Sequence, residues 1–130
     1  MGPKVLVVDD YLDMSESLAS ILNDMGYSVV DIAQNGHEAF EMYQKYAPDV
    51  VLMDVLMPKS SGIEGIIKIR KYDTDAKIIF ITADMSQKTE WEMIENNATA
   101  IIYKPYEINQ VVNTINDACS GTLELSLWLY

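Results

Sequence analysis

Five polar residues in the sequence have the types and the spacing that a phosphoryl-transfer or metal site would need. Asp9 and Asp10 follow the apolar run "KVLVV", and Asp54 follows "DVVLM". Thr82 follows "KIIFI", and Lys104 follows "TAIIY". A carboxylate that is buried without a partner is costly, so acids beside such apolar runs are normally partnered or neutralised.

Three carboxylates gathered in one place repel one another, and a hard divalent cation relieves that repulsion. Mg²⁺ takes oxygen ligands and keeps several waters, so Asp9, Asp10 and Asp54 are candidate ligands. A metal site alone has no use for a lysine, because the lysine repels the cation. A phosphoryl group explains both remaining residues: Lys104 would pair with one phosphoryl oxygen, and Thr82 would donate a hydrogen bond to another.

Asp54 is the candidate nucleophile of such a site, because a carboxylate can form an aspartyl-phosphate. Phosphoryl transfer is mostly positioning and charge neutralisation, so little more is required. Each feature alone has an ordinary explanation. Asp9 and Asp10 would suit a helix start, and Lys104 would suit a solvated surface. Their joint placement after four apolar runs favours a shared site.

The elements that must hold these residues alternate between strands and helices. Strands are predicted at residues 4–8, 27–33, 49–53, 77–81 and 99–103, all but the second being nearly continuous in Val, Ile and Leu. Helical spacing of apolar residues is found at 12–25, 36–46, 62–71, 86–96 and 107–119. This alternation predicts an α/β fold with a doubly wound, five-stranded parallel sheet and five helices. Functional sites of such sheets lie beyond the carboxyl ends of the strands.

Several helix faces and helix ends can also be predicted. The first helix carries an apolar stripe of Met14, Leu18, Ile21, Leu22 and Met25, and the third is expected to turn Ile63, Ile66 and Ile67 inward. Asn35 is the predicted cap of the second helix, and Gly26 and Asn97 are predicted helix stops.

Composition bounds the class of protein. The 130 residues are 49 % hydrophobic and 22 % charged, which is typical of one globular domain. The formal net charge of −11 argues against nucleic acid and anionic membranes as partners. No apolar run is long enough to cross a bilayer and no signal peptide is evident, so a cytoplasmic location is expected. Cys119 is the one cysteine, and His37 is a poor metal candidate without a second histidine.

The segments "VLVVDD", "VLMDVLMP", "ITA" and "YKPY" occur in this order at the strand ends, and together they resemble the receiver domain of two-component response regulators. The resemblance covers residues 4 to about 119 and implies a flavodoxin-like sheet in the order 2-1-3-4-5, within a domain at residues 1–120. It implies that a histidine kinase or phosphotransfer protein passes a phosphoryl group from its phospho-histidine to Asp54. The surface of helix 4, strand 5 and helix 5 would then change and control an unidentified protein partner.

The resemblance also implies roles for individual residues. It assigns Mg²⁺ binding to the carboxylates of Asp10 and Asp54, the backbone carbonyl of Leu56 and, mainly through water, Asp9. The bond between Lys104 and Pro105 is expected to be cis, which is cheap only before proline.

In the switch of this family, the hydroxyl at the Thr82 position swings toward the phosphoryl group, and an aromatic ring three residues before the lysine turns inward. Here that position is Ile101, which has no ring to turn. We therefore expect helix 4 and strand 5 to shift with a repacking of Ile101.

Two positions tune hydrolysis of the aspartyl-phosphate in the family, and in this sequence they are Leu56 and Asp84. Leu56 offers no side-chain hydrogen bond to an attacking water. Asp84 could orient a water or repel the phosphoryl charge. We expect no unusually fast dephosphorylation.

Two enzyme-like or ligand-binding alternatives are weaker. A Mg²⁺-dependent aspartyl-phosphate phosphatase of the haloacid dehalogenase type needs a second acid two residues after its nucleophile, where this chain has Leu56. A nucleotide or flavin binder needs glycines in the first strand–helix loop, and "VVDDYLD" has none. The chain is expected to be a signalling domain that catalyses only its own phosphorylation and dephosphorylation, and not an enzyme.

The segment 121–130, "GTLELSLWLY", alternates leucine with other residues, which is the period of a strand. It could add a strand to a sheet edge or to a neighbouring chain. It could also begin an output segment or be a non-native addition. Self-association into a homodimer is slightly favoured, because a free apolar strand in water is a liability.

Overall fold

The computed structural model describes residues 2–121, which form a five-stranded parallel sheet with helices against both faces. The strands are β1 (Lys4–Val8), β2 (Ser28–Ala33), β3 (Val50–Met53), β4 (Ile78–Thr82) and β5 (Ala100–Tyr103). The helices are α1 (Leu12–Asp24), α2 (Gly36–Tyr46), α3 (Gly62–Tyr72), α4 (Gln87–Glu95) and α5 (Ile108–Ser120). The order β2-β1-β3-β4-β5 confirms the predicted fold. From residue 122 on, the alternating tail lies outside the described residues.

The side-chain alternation of the strands divides the core into two layers. One face of the sheet, with Leu6, Met53 and Phe80, packs against α2, α3 and α4. The other face, with Val7 and Leu52, packs against α1 and α5. Strand β2 lies at an edge and is only half-buried, as its more polar sequence predicted. Burial on both faces explains why the four inner strands are so apolar.

The register of the strands brings their carboxyl ends to one edge of the sheet. Met53 at the end of β3 is paired with Val8 at the end of β1 and with Phe80 in β4. Thr82 at the end of β4 is paired with Tyr103 at the end of β5. Residues that follow these positions therefore emerge side by side.

Local signals begin and end the helices much as predicted. The Asn35 side chain accepts the N–H of Glu38 at 2.9 Å and so caps α2. Ser61 and Glu64 form a reciprocal capping box at the start of α3. Asn97 has φ 60° and Gly26 has φ 98°, the left-handed conformation that stops a helix.

The apolar faces of two helices are narrower than their sequences suggested. On α1, Leu18 and Leu22 are buried, whereas Met14, Ile21 and Met25 are each more than 40 % exposed. On α3, Ile67 is exposed and Ile69 is buried in its place. Each helix meets the sheet along one side only, so residues at the margins of a wide stripe stay in contact with water. No helix among residues 2–121 combines the length and apolarity needed to cross a membrane.

Arg70 ties several segments together at the end of the sheet opposite the strand carboxyl ends. Its guanidinium, near the end of α3, donates hydrogen bonds to the backbone carbonyls of Thr74, Ala76 and Asn97. The first two carbonyls belong to the loop before β4, and the third belongs to the loop before β5. One side chain therefore fixes α3 to both loops at this end.

Helix α3 begins in direct contact with the backbone that follows β3. The N–H of Gly62 donates to the carbonyl of Val55 at 2.9 Å. A Cβ atom at Gly62 would lie 2.1 Å from the backbone oxygen of Asp54, which is far inside van der Waals contact. Only glycine allows this approach, so the start of α3 fixes the backbone that carries Asp54.

The close contact at Gly62 predicts a loss of stability in Gly62→Ala. The free energy of unfolding should fall by about 1–3 kcal/mol, because backbone must move to admit the methyl group. Urea unfolding measures the change. Gly65→Ala is the matched variant, because its methyl group would lie 3.0 Å from the Gly36 Cα and from Met53 Sδ, which is a much milder overlap than the 2.1 Å at Gly62. If Gly62→Ala is no less stable than Gly65→Ala, the contact is not as tight as described.

Candidate functional site

An ammonium group and two carboxylates meet where β1, β3 and β5 end. Lys104 Nζ lies 2.9 Å from Asp54 Oδ2 and 3.5 Å from Asp9 Oδ2. The three side chains are mostly buried, with 26 %, 13 % and 15 % of their surfaces exposed. The structure thus brings together three of the five residues that the sequence singled out.

Backbone hydrogen bonds beyond the strand ends hold these residues in place. The N–H of Asp54 donates to the carbonyl of Val8 at 3.0 Å, and the N–H of Lys104 donates to the carbonyl of Thr82 at 2.9 Å. The sheet ladder therefore continues one residue past β3 and β5. Because the ladder is rigid, Asp54 and Lys104 are positioned by the sheet itself.

Each carboxylate also accepts a nearby backbone N–H. Asp54 Oδ1 accepts the N–H of Val55 at 2.6 Å, and Asp9 Oδ1 accepts the N–H of Tyr11 at 3.0 Å. In both acids the other oxygen, Oδ2, faces Lys104. The two oxygens closest to the ammonium group are therefore the ones that can face a ligand.

Burial and mutual repulsion shift the titration of this group of charges. Burial raises the pKa of the Asp9 carboxyl, and the charges of Asp54 and Asp10 add to the rise. Burial lowers the pKa of the Lys104 ammonium, but its hydrogen bond to Asp54 and the nearby carboxylates outweigh this effect, so its pKa is raised. The ammonium group of Lys104 therefore stays charged, and its positive charge opposes the repulsion between the neighbouring carboxylates.

A small cavity of about 20 Å³ opens onto these charges. Its lining includes Asp9, Asp54 and Lys104 together with Met14 and Tyr106. Sequence reasoning did not select Met14 or Tyr106 for this site. The second tyrosine of "YKPY" was quoted only as part of a motif, and Met14 was assigned to the core.

The remaining predicted metal ligands, Asp10 and Leu56, are not among the residues that line this cavity. Asp10 is exposed, and its charge reaches the site only as a contribution to the raised pKa of Asp9. The Leu56 side chain is 64 % exposed and offers no polar group. Within residues 2–121, no three side chains of His, Cys, Asp or Glu are arranged to hold a metal ion by themselves. The structure therefore shows a pair of acids at Lys104, with the third acid apart from them.

Thr82 and Asp84 are joined to each other. The Thr82 side chain is fully buried, and its Oγ1 accepts the N–H of Asp84 at 3.1 Å. Asp84 in turn accepts hydrogen bonds from Ser86 N–H at 2.9 Å and from Thr89 Oγ1 at 2.6 Å. The Asp84 carboxylate is thus bonded to the start of α4, and both of its oxygens have a donor there.

Strand β5 carries its aromatic residue at position 103 and not at position 101, where the resemblance places the switch residue. Ile101 is fully buried in the core beneath α4. Tyr103 is half-buried, and its hydroxyl donates to Glu90 Oε2 of α4 at 3.1 Å. The bond between Lys104 and Pro105 is cis, as expected.

Comparisons with known proteins agree on one family. Residues 5–116 match the model described as the response regulator receiver domain. The chain is 41 % identical over 116 residues to a chemotaxis protein CheY of Thermotoga maritima, covering 89 % of this chain and 97 % of that protein. It is 37 % identical over 121 residues to a chemotaxis protein CheY of Halobacterium salinarum, covering 93 % and 100 %. A chain in the crystal structure of the CheX–CheY–BeF3–Mg²⁺ complex from Borrelia burgdorferi superposes with a TM-score of 0.80 at 29 % identity, covering 86 % and 85 %.

The pairing of Lys104 with two acids predicts a loss of stability in Lys104→Gln. In buffer with a chelator, the free energy of unfolding should fall by about 1–3 kcal/mol, because two mostly buried carboxylates lose the cation between them. The double variant Asp54→Asn/Lys104→Gln should recover part of this loss, since one of the two negative charges is gone. Urea unfolding of the wild type, Lys104→Gln, Asp54→Asn and the double variant gives the coupling free energy between the two side chains.

The control for this experiment is Lys88→Gln, which removes an exposed lysine of α4 and should change stability by no more than about 0.5 kcal/mol. A Lys104→Gln protein as stable as Lys88→Gln would show that the ammonium group does not stabilise the pair.

Proposed function

Because the chain belongs to the response regulator receiver family, we propose that Asp54 accepts a phosphoryl group from the phospho-histidine of a histidine kinase or phosphotransfer protein. The observation that carries this proposal is the contact of Lys104 Nζ with Asp54 Oδ2 at 2.9 Å and with Asp9 Oδ2 at 3.5 Å. A nucleophile beside a fixed ammonium group is the arrangement that phosphoryl transfer needs.

The proposed reaction is a single displacement at phosphorus. A carboxylate oxygen of Asp54 forms a bond to phosphorus while the bond from phosphorus to the histidine nitrogen breaks. The electron pair of that bond remains on the imidazole, and no oxidant or reductant takes part. The Asp54 side chain exchanges one negative charge for about two, so the need for positive charge at the site grows.

The residues of the site divide the work of holding the phosphoryl group. Lys104 already touches Asp54 and would pair with a phosphoryl oxygen once one is attached. The Thr82 hydroxyl would donate a hydrogen bond to a second oxygen. Both residues act by position and charge, and neither needs to transfer a proton.

Mg²⁺ fits the chemistry of the donors that remain. This ion is held by one or two carboxylates and keeps several waters, so the pair of Asp9 and Asp54 meets its needs without a third acid at the centre. The Asp10 carboxylate and the Leu56 carbonyl would supply further oxygen ligands to the ion. The bound ion would neutralise charge on the phosphoryl oxygens. The related Borrelia burgdorferi complex contains BeF3 and Mg²⁺, which supports this assignment.

The proposed output is a change of surface that is recognised by a protein partner. Trp91 of α4 is 64 % exposed, and α4 is one of the three elements on which the readout is proposed. The net charge of −11 makes direct binding of nucleic acid unfavourable. The phosphatase alternative is not supported, because the family match assigns the fold to receivers and Leu56 cannot act as an acid. The proposed domain is a switch whose only chemistry is its own phosphorylation and dephosphorylation.

Incubation with acetyl phosphate and Mg²⁺ tests the proposed phosphoryl acceptor. Intact-mass spectrometry should show the gain of one phosphoryl group in the wild-type protein. Asp54→Asn should show none, because an amide is not a nucleophile here, and omission of Mg²⁺ should abolish the gain. Lys104→Met should fold and gain little.

Two results would count against the proposal. One is phosphorylation of Asp54→Asn to the wild-type extent, which would place the acceptor elsewhere. The other is no gain in mass with acetyl phosphate, combined with no binding of beryllofluoride in the presence of Mg²⁺.

The exposed, apolar Leu56 predicts that loss of the phosphoryl group is not unusually fast, because its side chain cannot hydrogen-bond an attacking water. In the Leu56→Asn variant the aspartyl-phosphate should be hydrolysed about fivefold faster. This factor corresponds to the free energy of one net hydrogen bond to the attacking water. The decay of phosphorylated protein, followed by intact mass, measures the rate. Leu56→Met is the matched control, since it changes the same side chain without adding an amide. Equal rates for the Asn and Met variants would contradict this explanation.

A further inference from the structure

A line of exposed apolar side chains runs along one margin of α1. Met14, Ile21 and Met25, the last of which caps the helix, are 44 %, 43 % and 46 % exposed. Intervals of seven and four residues return to the same side of a helix, so the three side chains are aligned. The line is about 16 Å long, at 1.5 Å of rise per residue. Scattered apolar residues on a surface need no explanation, whereas a contiguous line of them marks a site of contact.

This line faces α5 across a groove. Both helices pack on the same face of the sheet. At one end of the groove, Met14 borders an open cavity of about 580 Å³ together with Pro105 and Tyr106, which precede α5. At the other end, the Tyr27 hydroxyl, just beyond α1, donates to Asn116 Oδ1 of α5 at 2.6 Å. The exposed line is therefore one wall of a groove that follows α1 along its length.

The described residues end beside the second of these ends. Helix α5 finishes at Ser120, one turn after Asn116, and Gly121 follows it with φ 77°. A glycine in the left-handed conformation turns the chain away from the axis of the helix that it ends. The chain that follows Gly121 therefore starts close to the end of α1, where Met25 lies.

The sequence that follows is complementary to the exposed line. In "TLELSLWLY", residues 122–130, every second residue from 123 to 129 is leucine. Alternate residues of an extended chain point to one side, so the four leucines would form a face about 20 Å long. Nine extended residues span about 30 Å, so the segment is long enough to reach from Met25 to Met14.

The edge of β2 is a less suitable place for this segment. The N–H of Val29 donates to Asn23 Oδ1 at 3.0 Å. The N–H of Ile32 donates to Asp31 Oδ1 at 2.8 Å, and Asp31 Oδ2 accepts the Tyr46 hydroxyl at 2.9 Å. Two backbone donors of this strand are therefore occupied by side chains. A charged residue in the middle of an edge strand also opposes the addition of another strand.

We propose that residues 122–130 fold back along α1 of the same chain and cover Met14, Ile21 and Met25 with their leucine face. The opposite face of the segment carries Glu124 and Ser126, which would stay in water. The segment would also reach the cavity beside Tyr106 and cover its apolar wall. This inference does not rest on phosphorylation of Asp54, because it concerns a surface formed by apolar contacts alone.

Contact within one chain is favoured over contact between two copies. The segment begins next to the line that it would cover, so its effective concentration there is about millimolar. A second copy of the chain competes only when its own concentration approaches this value. Seating on the same chain therefore prevails over the self-association considered from the sequence when the protein is dilute.

Methyl NMR of the 130-residue chain tests this seating. Nuclear Overhauser effects (NOEs) should connect leucine methyl groups of residues 123–129 to the methyl groups of Met14, Ile21 and Met25. Their intensities relative to NOEs within the core should not change on dilution, because a contact within one chain does not depend on concentration. The variant Leu125→Ser/Leu127→Ser should lose these NOEs while the spectrum of the core methyl groups stays the same.

Ile21→Gln and Leu12→Gln are a matched pair of variants for the α1 side of the contact. Both side chains are 43 % exposed. Their positions on α1 differ by about two and a half turns, so they lie on opposite sides of the helix. Ile21→Gln should weaken the NOEs between the leucines and Met25, whereas Leu12→Gln should leave them at wild-type intensity.

Four results would overturn the proposal. The first is the absence of NOEs between the leucines and the three residues of α1. The second is a set of NOEs to β2 or β5 instead, which would make the segment an added strand. The third is loss of the NOEs on dilution, which would assign them to a second copy of the chain. The fourth is an equal effect of Ile21→Gln and Leu12→Gln. None of these results bears on the phosphoryl acceptor.

Discussion

The charge imbalance between two acids and one lysine is the constraint around which this molecule is arranged. Asp9 and Asp54 repel each other, and the ammonium group of Lys104 opposes that repulsion, while burial still raises the pKa of the Asp9 carboxyl. Such a group is stable only where rigid backbone prevents the carboxylates from turning into water. The sheet provides this rigidity, because its ladder extends past β3 and β5 to the residues that carry the charges. The apolar strands and the tight contact between Gly62 and the backbone of Asp54 also hold this backbone in place.

The fold could be predicted almost completely from local sequence patterns. Runs of Val, Ile and Leu were sufficient to place the inner strands, because burial on both faces removes the alternation that an edge strand shows. Asn35 marked a helix start through its side-chain hydrogen bond, and Gly26 and Asn97 marked helix ends through their left-handed backbone. Helix faces were less predictable. Whether Met14 or Ile67 meets water depends on how widely the sheet covers each helix, and this is a property of packing that spacing does not contain.

The residues of the site could be predicted better than the contacts that they make. Asp54 and Lys104 were found because parallel strands send their carboxyl ends to one edge, which is a rule of topology. The partners of Thr82 and Asp84 could not be found in this way. Their hydrogen bonds depend on the path of a short loop and on the rotamers of side chains in α4. Sequence also could not show that Asp10 stays exposed, because the direction of its side chain depends on the bend between β1 and α1.

The hydrogen bonds of Arg70 restrict how α4 can move. Arg70 binds the carbonyl that follows the last turn of this helix, and Met93 anchors the same end in the core. A rod that is fixed at one end swings about that end, and its displacement grows with distance from the pivot. The nine residues of α4 span about 13 Å, so a tilt of about 10° carries the first turn through about 2 Å while the last turn hardly moves. A binding partner that reads the first turn would therefore sense a small rotation as a large change, whereas one that reads the last turn would sense almost nothing.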